Sequence, residues 1–91
     1  MLQQTNYTIG TAIQKIADIP AGDLATQVSI YNNHNQDVHV GGPSVATSNA
    51  NVGFRIPANT GAQIWLRGGE ALYAVTTIAA TTPALTVLFS V

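Results

Sequence analysis

The sequence predicts an all-β fold, a single-domain antiparallel β-sandwich or jelly-roll-like barrel of about seven to eight short strands. Apolar and polar residues alternate with a period of two along most of the chain, which is typical of strands with one buried face. Clusters of Gly, Pro and Asn interrupt this alternation at short intervals, as turns do between strands. The length of 91 residues fits one domain over residues 1–91.

The N-terminal segment allows two interpretations. Alternate residues from 7 to 13 fit a strand, whereas Ile13, Ile16 and Ala17 also fit the apolar stripe of a helix. We favour the strand, because the Thr and Gly residues of this segment are poor helix formers. Residues 1–7 are expected to form a flexible N-terminal arm.

The next segments predict a hairpin. Residues 24–31 alternate, with an inward set consisting of Leu24, Thr26, Val28 and Ile30. The polar, Asn-rich residues 32–36 predict a turn. Val38 and Val40 resume the inward pattern, so this strand is expected to pair with the preceding one.

The remaining segments predict further short strands. A short edge strand is expected at 45–47, and a strand with Val52, Phe54 and Ile56 inward is expected to end at Pro57. The later strands are predicted at residues 62–67 (Ala62, Ile64 and Leu66 inward), 71–77 and 85–91. The last is the most apolar, so we expect it in the centre of a sheet, where no apolar edge is left exposed.

The scarcity of charge restricts the function. Only 8% of the residues are charged, three of them basic and four acidic, against about a quarter in most soluble domains. So few cations argue against nucleic-acid binding, and we predict no such partner. No apolar run is long enough for a membrane-spanning helix, and the N-terminus has no secretory signal pattern, so no membrane partner is predicted.

Chemical motifs are equally scarce. The chain lacks cysteine and a Gly-x-Ser-x-Gly nucleophile motif. Asp37 and His39 share a strand face beside His34, but a metal ion there would need a ligand from elsewhere. We therefore predict no catalytic residue, no metal, no cofactor and no enzymatic activity.

The most informative candidates are aromatic residues on the polar side of strands. With Ile64 and Leu66 inward, Trp65 points outward between Gln63 and Arg67, and Tyr31 also falls on a polar face. Trp and Arg are enriched at binding hot spots. We predict an interface formed by Trp65, Arg67, Gln63, Tyr31 and His39. Two alternatives remain: a covering loop or a bulge could bury Trp65, or the aromatic rings could stack on sugars.

Four segments also carry a resemblance: residues 9–12 (IGTA), 28–33 (VSIYNN), 38–43 (VHVGGP) and 69–75 (GEALYAV). In this order they resemble a group of small all-β virion proteins of tailed bacteriophages. The resemblance implies a capsid decoration, or cement, protein on the capsid surface of the virion. Its implied partners are the major capsid protein and copies of itself in a homotrimer. The alternative function is a carbohydrate-binding or host-attachment module on a phage fibre or tail.

Overall fold

The computed structural model of the chain describes residues 2–90, except for the side chain of Asn49. The described residues form eight strands and one short 3-10 helix. The strands are β1 (Leu2–Tyr7), β2 (Gln14–Asp18), β3 (Thr26–Asn32), β4 (Val38–Gly41), β5 (Phe54–Ile56), β6 (Thr60–Leu66), β7 (Ala71–Thr76) and β8 (Leu85–Ser90), and the 3-10 helix spans Asn49–Asn51.

The strands form two four-stranded antiparallel sheets. Sheet A has the order β1-β8-β3-β6, and sheet B has the order β2-β7-β4-β5. Strand β1 therefore pairs with β8, β2 with β7, β3 with β6 and β4 with β5, as in one long hairpin rolled up on itself. This is the strand order of a double-sheet jelly roll, and it confirms the predicted fold class.

The core lies between the sheets and consists of the inward side chains that the alternation predicts. Both sheets and the loop before β2 contribute to it. The fully buried apolar residues include Ile9, Ile16, Ile19, Val28, Val38, Val40, Ile56, Leu85 and Val87. Ala62 and Ile64 are partly buried against this core, and Leu66 belongs to it. Strand β8 lies centrally, between β1 and β3, as predicted.

The predicted hairpin between β3 and β4 is wrong. Strand β3 pairs with β6 and β8 in sheet A, while β4 pairs with β5 and β7 in sheet B. The connection crosses between the sheets around Asn32, which is fully buried. Its Nδ2 donates to the carbonyl oxygens of Gln36 and Ile56, each at 2.9 Å, and its Oδ1 accepts from the backbone N–H of His34 at 2.8 Å. The Asn32 side chain thus stabilises an arch, a connection that links two strands in different sheets. A polar run in the sequence does not distinguish such an arch from a hairpin turn.

The N-terminal prediction also needs correction. Residues 2–7 form β1, paired along its whole length with β8, and not the expected arm. Met1 lies outside the described residues. Residues 8–13 form a loop and not a strand, because backbone groups of Ile9 and Gly10 accept from Ala80 and Thr76 at 2.9 and 3.1 Å outside any strand ladder.

Three smaller differences concern strand ends and exposed residues. Leu24 precedes β3 and is exposed, so it does not share the buried face of that strand. The expected strand at 45–47 is reduced to one bridge between Ala46 and Val52. Val52, which precedes β5, and Phe54, its first residue, are exposed, whereas Ile56 at the other end of this edge strand of sheet B is buried.

Candidate interaction surface on sheet A

The outer side of sheet A is formed by alternate residues of its four strands. The register of the three ladders places these side chains together on the side of the sheet away from the core. We call this surface the neutral face, and its members are Leu2, Gln4, Asn6, Gln27, Ser29, Tyr31, Gly61, Gln63, Trp65, Thr86, Leu88 and Ser90. None of these described residues carries a charge.

The ladders give the neutral face a defined arrangement of rows. Gln27 lies opposite Trp65 on the β3–β6 ladder. Ser29 lies opposite Gln63 on one side and Leu88 on the other. The rows run straight across the sheet because the β3–β6 pairing has no register shift.

The two aromatic rings of the neutral face are in different environments. Trp65 is 65% exposed, which excludes the alternative that a bulge or covering loop buries it within this chain. Tyr31 is 43% exposed and lies beside Gly61, where a Cβ atom would meet Tyr31 Cδ1 at 3.4 Å. The Tyr31 hydroxyl donates to the carbonyl oxygen of Asn59 at 3.2 Å. Tyr31 is therefore held in place, whereas the larger ring of Trp65 presents most of its surface outward.

Several polar groups of the neutral face already bond to one another. Gln27 Nε2 donates to Gln63 Oε1 at 2.9 Å, and the Thr86 hydroxyl donates to Asn6 Oδ1 at 2.9 Å. Polar groups that already have hydrogen-bond partners within the chain carry a smaller desolvation penalty when a binding partner removes water from them. The neutral face is therefore polar in composition, but its burial in an interface carries a low desolvation penalty.

A shallow depression of about 580 Å³ runs across the centre of the neutral face. It lies between β3, β6 and β8, and most of its exposed surface is apolar. Its lining residues are Ser29, Ile30, Tyr31, Gly61, Ala62, Gln63, Thr86 and Leu88. Such an open, apolar concavity suits a contact with another surface better than the enclosure of a small molecule.

The charged side chains lie elsewhere on the molecule. Lys15 Nζ is 3.4 Å from Asp18 Oδ2 on β2, and Arg55 Nη1 is 3.6 Å from Asp37 Oδ2 beside β4 and β5. Both pairs belong to sheet B and its adjoining loop. The other three, Asp23, Arg67 and Glu70, lie in connections between strands. None of the described strands of sheet A therefore carries a charged side chain. The composition shows that charge is scarce, but it does not show where the charged residues lie.

No family model, curated protein or solved structure matches the chain. The assignment of a site therefore depends on the geometry of this molecule.

The structure brings together three of the five predicted interface residues. Trp65, Gln63 and Tyr31 share the neutral face. Arg67 lies just beyond the end of β6, in a turn where its backbone N–H donates to Glu70 Oε1 at 2.6 Å. His39 is separated from all of them, because it lies on the outer side of sheet B, opposite Arg55, and is only 8% exposed.

Sequence reasoning missed the part of the neutral face that comes from β1 and β8. The sequence predicts an arm for Leu2, Gln4 and Asn6 and does not indicate their places beside Ser90, Leu88 and Thr86. The alternation of residues 85–91 does indicate part of this surface, because it places the apolar Leu88 on the outward side of its strand.

The side chains that bind metal ions do not cluster in residues 2–90. Among residues 2–90, no group of three or more His, Cys, Asp or Glu side chains is placed to hold a metal ion. His34 Nε2 lies 2.7 Å from the carbonyl oxygen of Ile78, so this ring already has a hydrogen-bond partner. In the same described part of the chain, no helix has the length and hydropathy needed to cross a membrane.

Proposed function

We propose that this chain is a non-enzymatic structural protein of a bacteriophage particle, a capsid decoration (cement) protein that stabilises the head. In this proposal the neutral face packs against the major capsid protein and copies of the chain associate as a homo-oligomer. One observation carries the proposal: the described residues of a whole sheet face carry no charge, yet this face exposes a tryptophan at its edge.

The neutral face can be buried in a contact at a low desolvation penalty. Burial of charged groups carries a desolvation penalty that a contact must recover. The neutral face has no charged side chain among the described residues, and its amides are partly paired with each other. Trp65 offers the large apolar area that dominates many interfaces. A protein that remains bound permanently to an assembly benefits from such a surface.

The fold is compatible with this role without deciding it. Jelly rolls occur in viral capsid domains and in lectins, but a fold can host many unrelated functions. The phage context comes from the resemblance of four sequence segments, and the surface argument comes from sheet A. Localisation on the capsid surface of the virion follows as part of the same proposal.

Phage heads that lack this protein provide the test. Purified protein is added to such heads, and binding is measured by co-sedimentation while head disruption is followed on heating. We expect saturable binding and a higher disruption temperature. Absence of binding, or binding without any gain in head stability, would reject the cement function.

A second function, carbohydrate binding on a fibre or tail, is favoured by one specific observation. Trp65 and Tyr31 lie on the same face of adjacent strands, four strand positions apart, which is about 13 Å. The amide groups of Gln27 and Gln63 lie near Trp65 and could bond to sugar hydroxyls. A glycan array followed by titration at millimolar glycan distinguishes this function, since a cement protein is expected to show no saturable signal there.

A further inference from the structure

The two sheets differ in how their edge strands are protected. In sheet B, edge strand β2 has a register shift between Lys15 and Ala17 and carries charge at Lys15 and Asp18. The other edge, β5, has only three residues, includes Arg55 and is followed by Pro57. Bulges, charges, proline and short length are the features that prevent edge strands from pairing with other chains.

Edge strand β6 of sheet A has none of this protection. It is seven residues long, contains no charged residue and no proline, and pairs with β3 without a register shift. No strand among the described residues pairs with its other side. Its unpaired backbone groups therefore form a template on which another antiparallel strand could add.

In β6, a small and a large side chain lie at equal distances on either side of the central residue, Gln63. On the neutral face, Gly61 and Trp65 lie two positions before and after it. On the core side, Ala62 and Ile64 lie one position before and after it. If a second β6 ran antiparallel with its Gln63 opposite the first, every Trp65 would lie opposite a Gly61 and every Ile64 opposite an Ala62.

We propose that β6 pairs with β6 of a second copy of this chain about a two-fold axis that passes midway between the two Gln63 residues. The pairing joins two copies of sheet A into one eight-stranded sheet and covers part of each Trp65. An axis normal to the sheet keeps both neutral faces on the same side, so they merge into one continuous surface. The role of the merged surface rests on the proposed function. The pairing of the two β6 strands does not depend on it, because it involves only two copies of this chain.

One neutral face alone is small for a stable contact with a larger partner. Strand spacing and rise give one four-stranded face a projected area of roughly 300 Å². A standard interface buries about 800 Å² on each partner. Joining two copies doubles the surface that a larger partner can contact, and it removes the unprotected edge of both copies.

The two-fold contact is also distinguishable from the other edge-to-edge arrangement. Strands β1 and β6 run in opposite directions at the two edges of sheet A, so β6 of one copy could also meet β1 of the next. That contact is head-to-tail and leads to a ring, such as the trimer implied by the resemblance, or to a filament. It would not place Gln63 opposite itself.

A cysteine substitution tests the register directly, because the described chain has no cysteine of its own. In the proposed dimer the two Gln63 Cα atoms are about 4.5–5.5 Å apart, which lies within the range that a disulfide bridges. The matched control is Gln27→Cys, which is on the same face but one strand further from the axis. Both variants are oxidised with glutathione disulfide over a range of protein concentrations, and their folding is checked by circular dichroism.

We expect Gln63→Cys to form a disulfide-linked dimer at least about tenfold faster than Gln27→Cys. Sedimentation of the unmodified chain should show a monomer–dimer equilibrium. Equal rates for the two cysteine variants, a monomer at all concentrations, or a trimer would overturn the two-fold pairing. Because no phage head is present, these results are independent of whether the protein binds heads.

Discussion

Trp65 lies directly opposite Gln27 on the outer side of the β3–β6 ladder, and Gln27 donates a hydrogen bond to Gln63, two residues before Trp65. The indole therefore stands at the edge of an uncharged, hydrogen-bonded sheet surface and not in the core. Because Trp65 lies outside the core, its replacement is expected to affect binding much more than folding.

Replacement of Trp65 by Ala should leave the fold almost unchanged. The side chain is 65% exposed, so we expect the free energy of unfolding to fall by less than about 1 kcal/mol, the range of strand propensities. Urea unfolding at low protein concentration measures this. The control is Ile30→Ala, which removes a buried side chain from the neighbouring strand and should cost about 2–5 kcal/mol. A loss of that size for Trp65→Ala would place the indole in the core.

Asn32 is expected to be essential for the crossing between the sheets. Asn32→Ala leaves the carbonyl of Ile56 and the N–H of His34 without their buried partner. At about 1–3 kcal/mol for each such group, the free energy of unfolding should fall by at least about 2 kcal/mol. Thermal or urea unfolding checks this.

The adjacent residue provides a matched control for Asn32. The Asn33 side chain is exposed, and its Nδ2 donates a long hydrogen bond of 3.4 Å to the Thr86 hydroxyl. Asn33→Ala should therefore change stability by no more than about 0.5 kcal/mol. Similar losses for the two variants would mean that the arch does not depend on the Asn32 side chain.

The strands and the arch show what local patterns can predict. Alternation identified β3, β6, β7 and β8, because each has one face on the core and a period-two pattern reports burial directly. It could not identify the partner of each strand. The polar run after Asn32 is compatible with a hairpin turn, but it is an arch because β3 and β4 belong to different sheets, and the bond from Asn32 Nδ2 to the carbonyl oxygen of Ile56 holds it.

The neutral face was predictable on strands β3 and β6 and not on β1. Trp65, Gln63 and Tyr31 were found from the phase of the alternation within their own strands. The contribution of β1 was missed because its residues are exposed on both sides and show no apolar alternation, so its pairing with β8 leaves no local signal. His39 was grouped with the others because sequence does not reveal which sheet a strand joins.

Binding through the neutral face should be nearly independent of salt. Exposed charges lose their interaction energy as ionic strength rises, but this face has no charged side chain among the described residues. We expect the affinity for phage heads to change by less than about twofold between about 50 mM and 500 mM NaCl. A co-sedimentation titration measures this. A loss of tenfold or more would indicate that the contact uses the charged pairs of sheet B.

The most direct test of the central claim compares two exposed aromatic residues on opposite sheets. Trp65 is on the neutral face, whereas Phe54, 62% exposed, is on β5 of sheet B. The affinities of Trp65→Ala and Phe54→Ala for phage heads that lack the protein are measured by co-sedimentation. We predict a loss of at least about tenfold for Trp65→Ala, equivalent to about 1.4 kcal/mol, and less than about twofold for Phe54→Ala. Equal losses, or a larger loss for Phe54→Ala, would contradict the assignment of the neutral face as the contact surface.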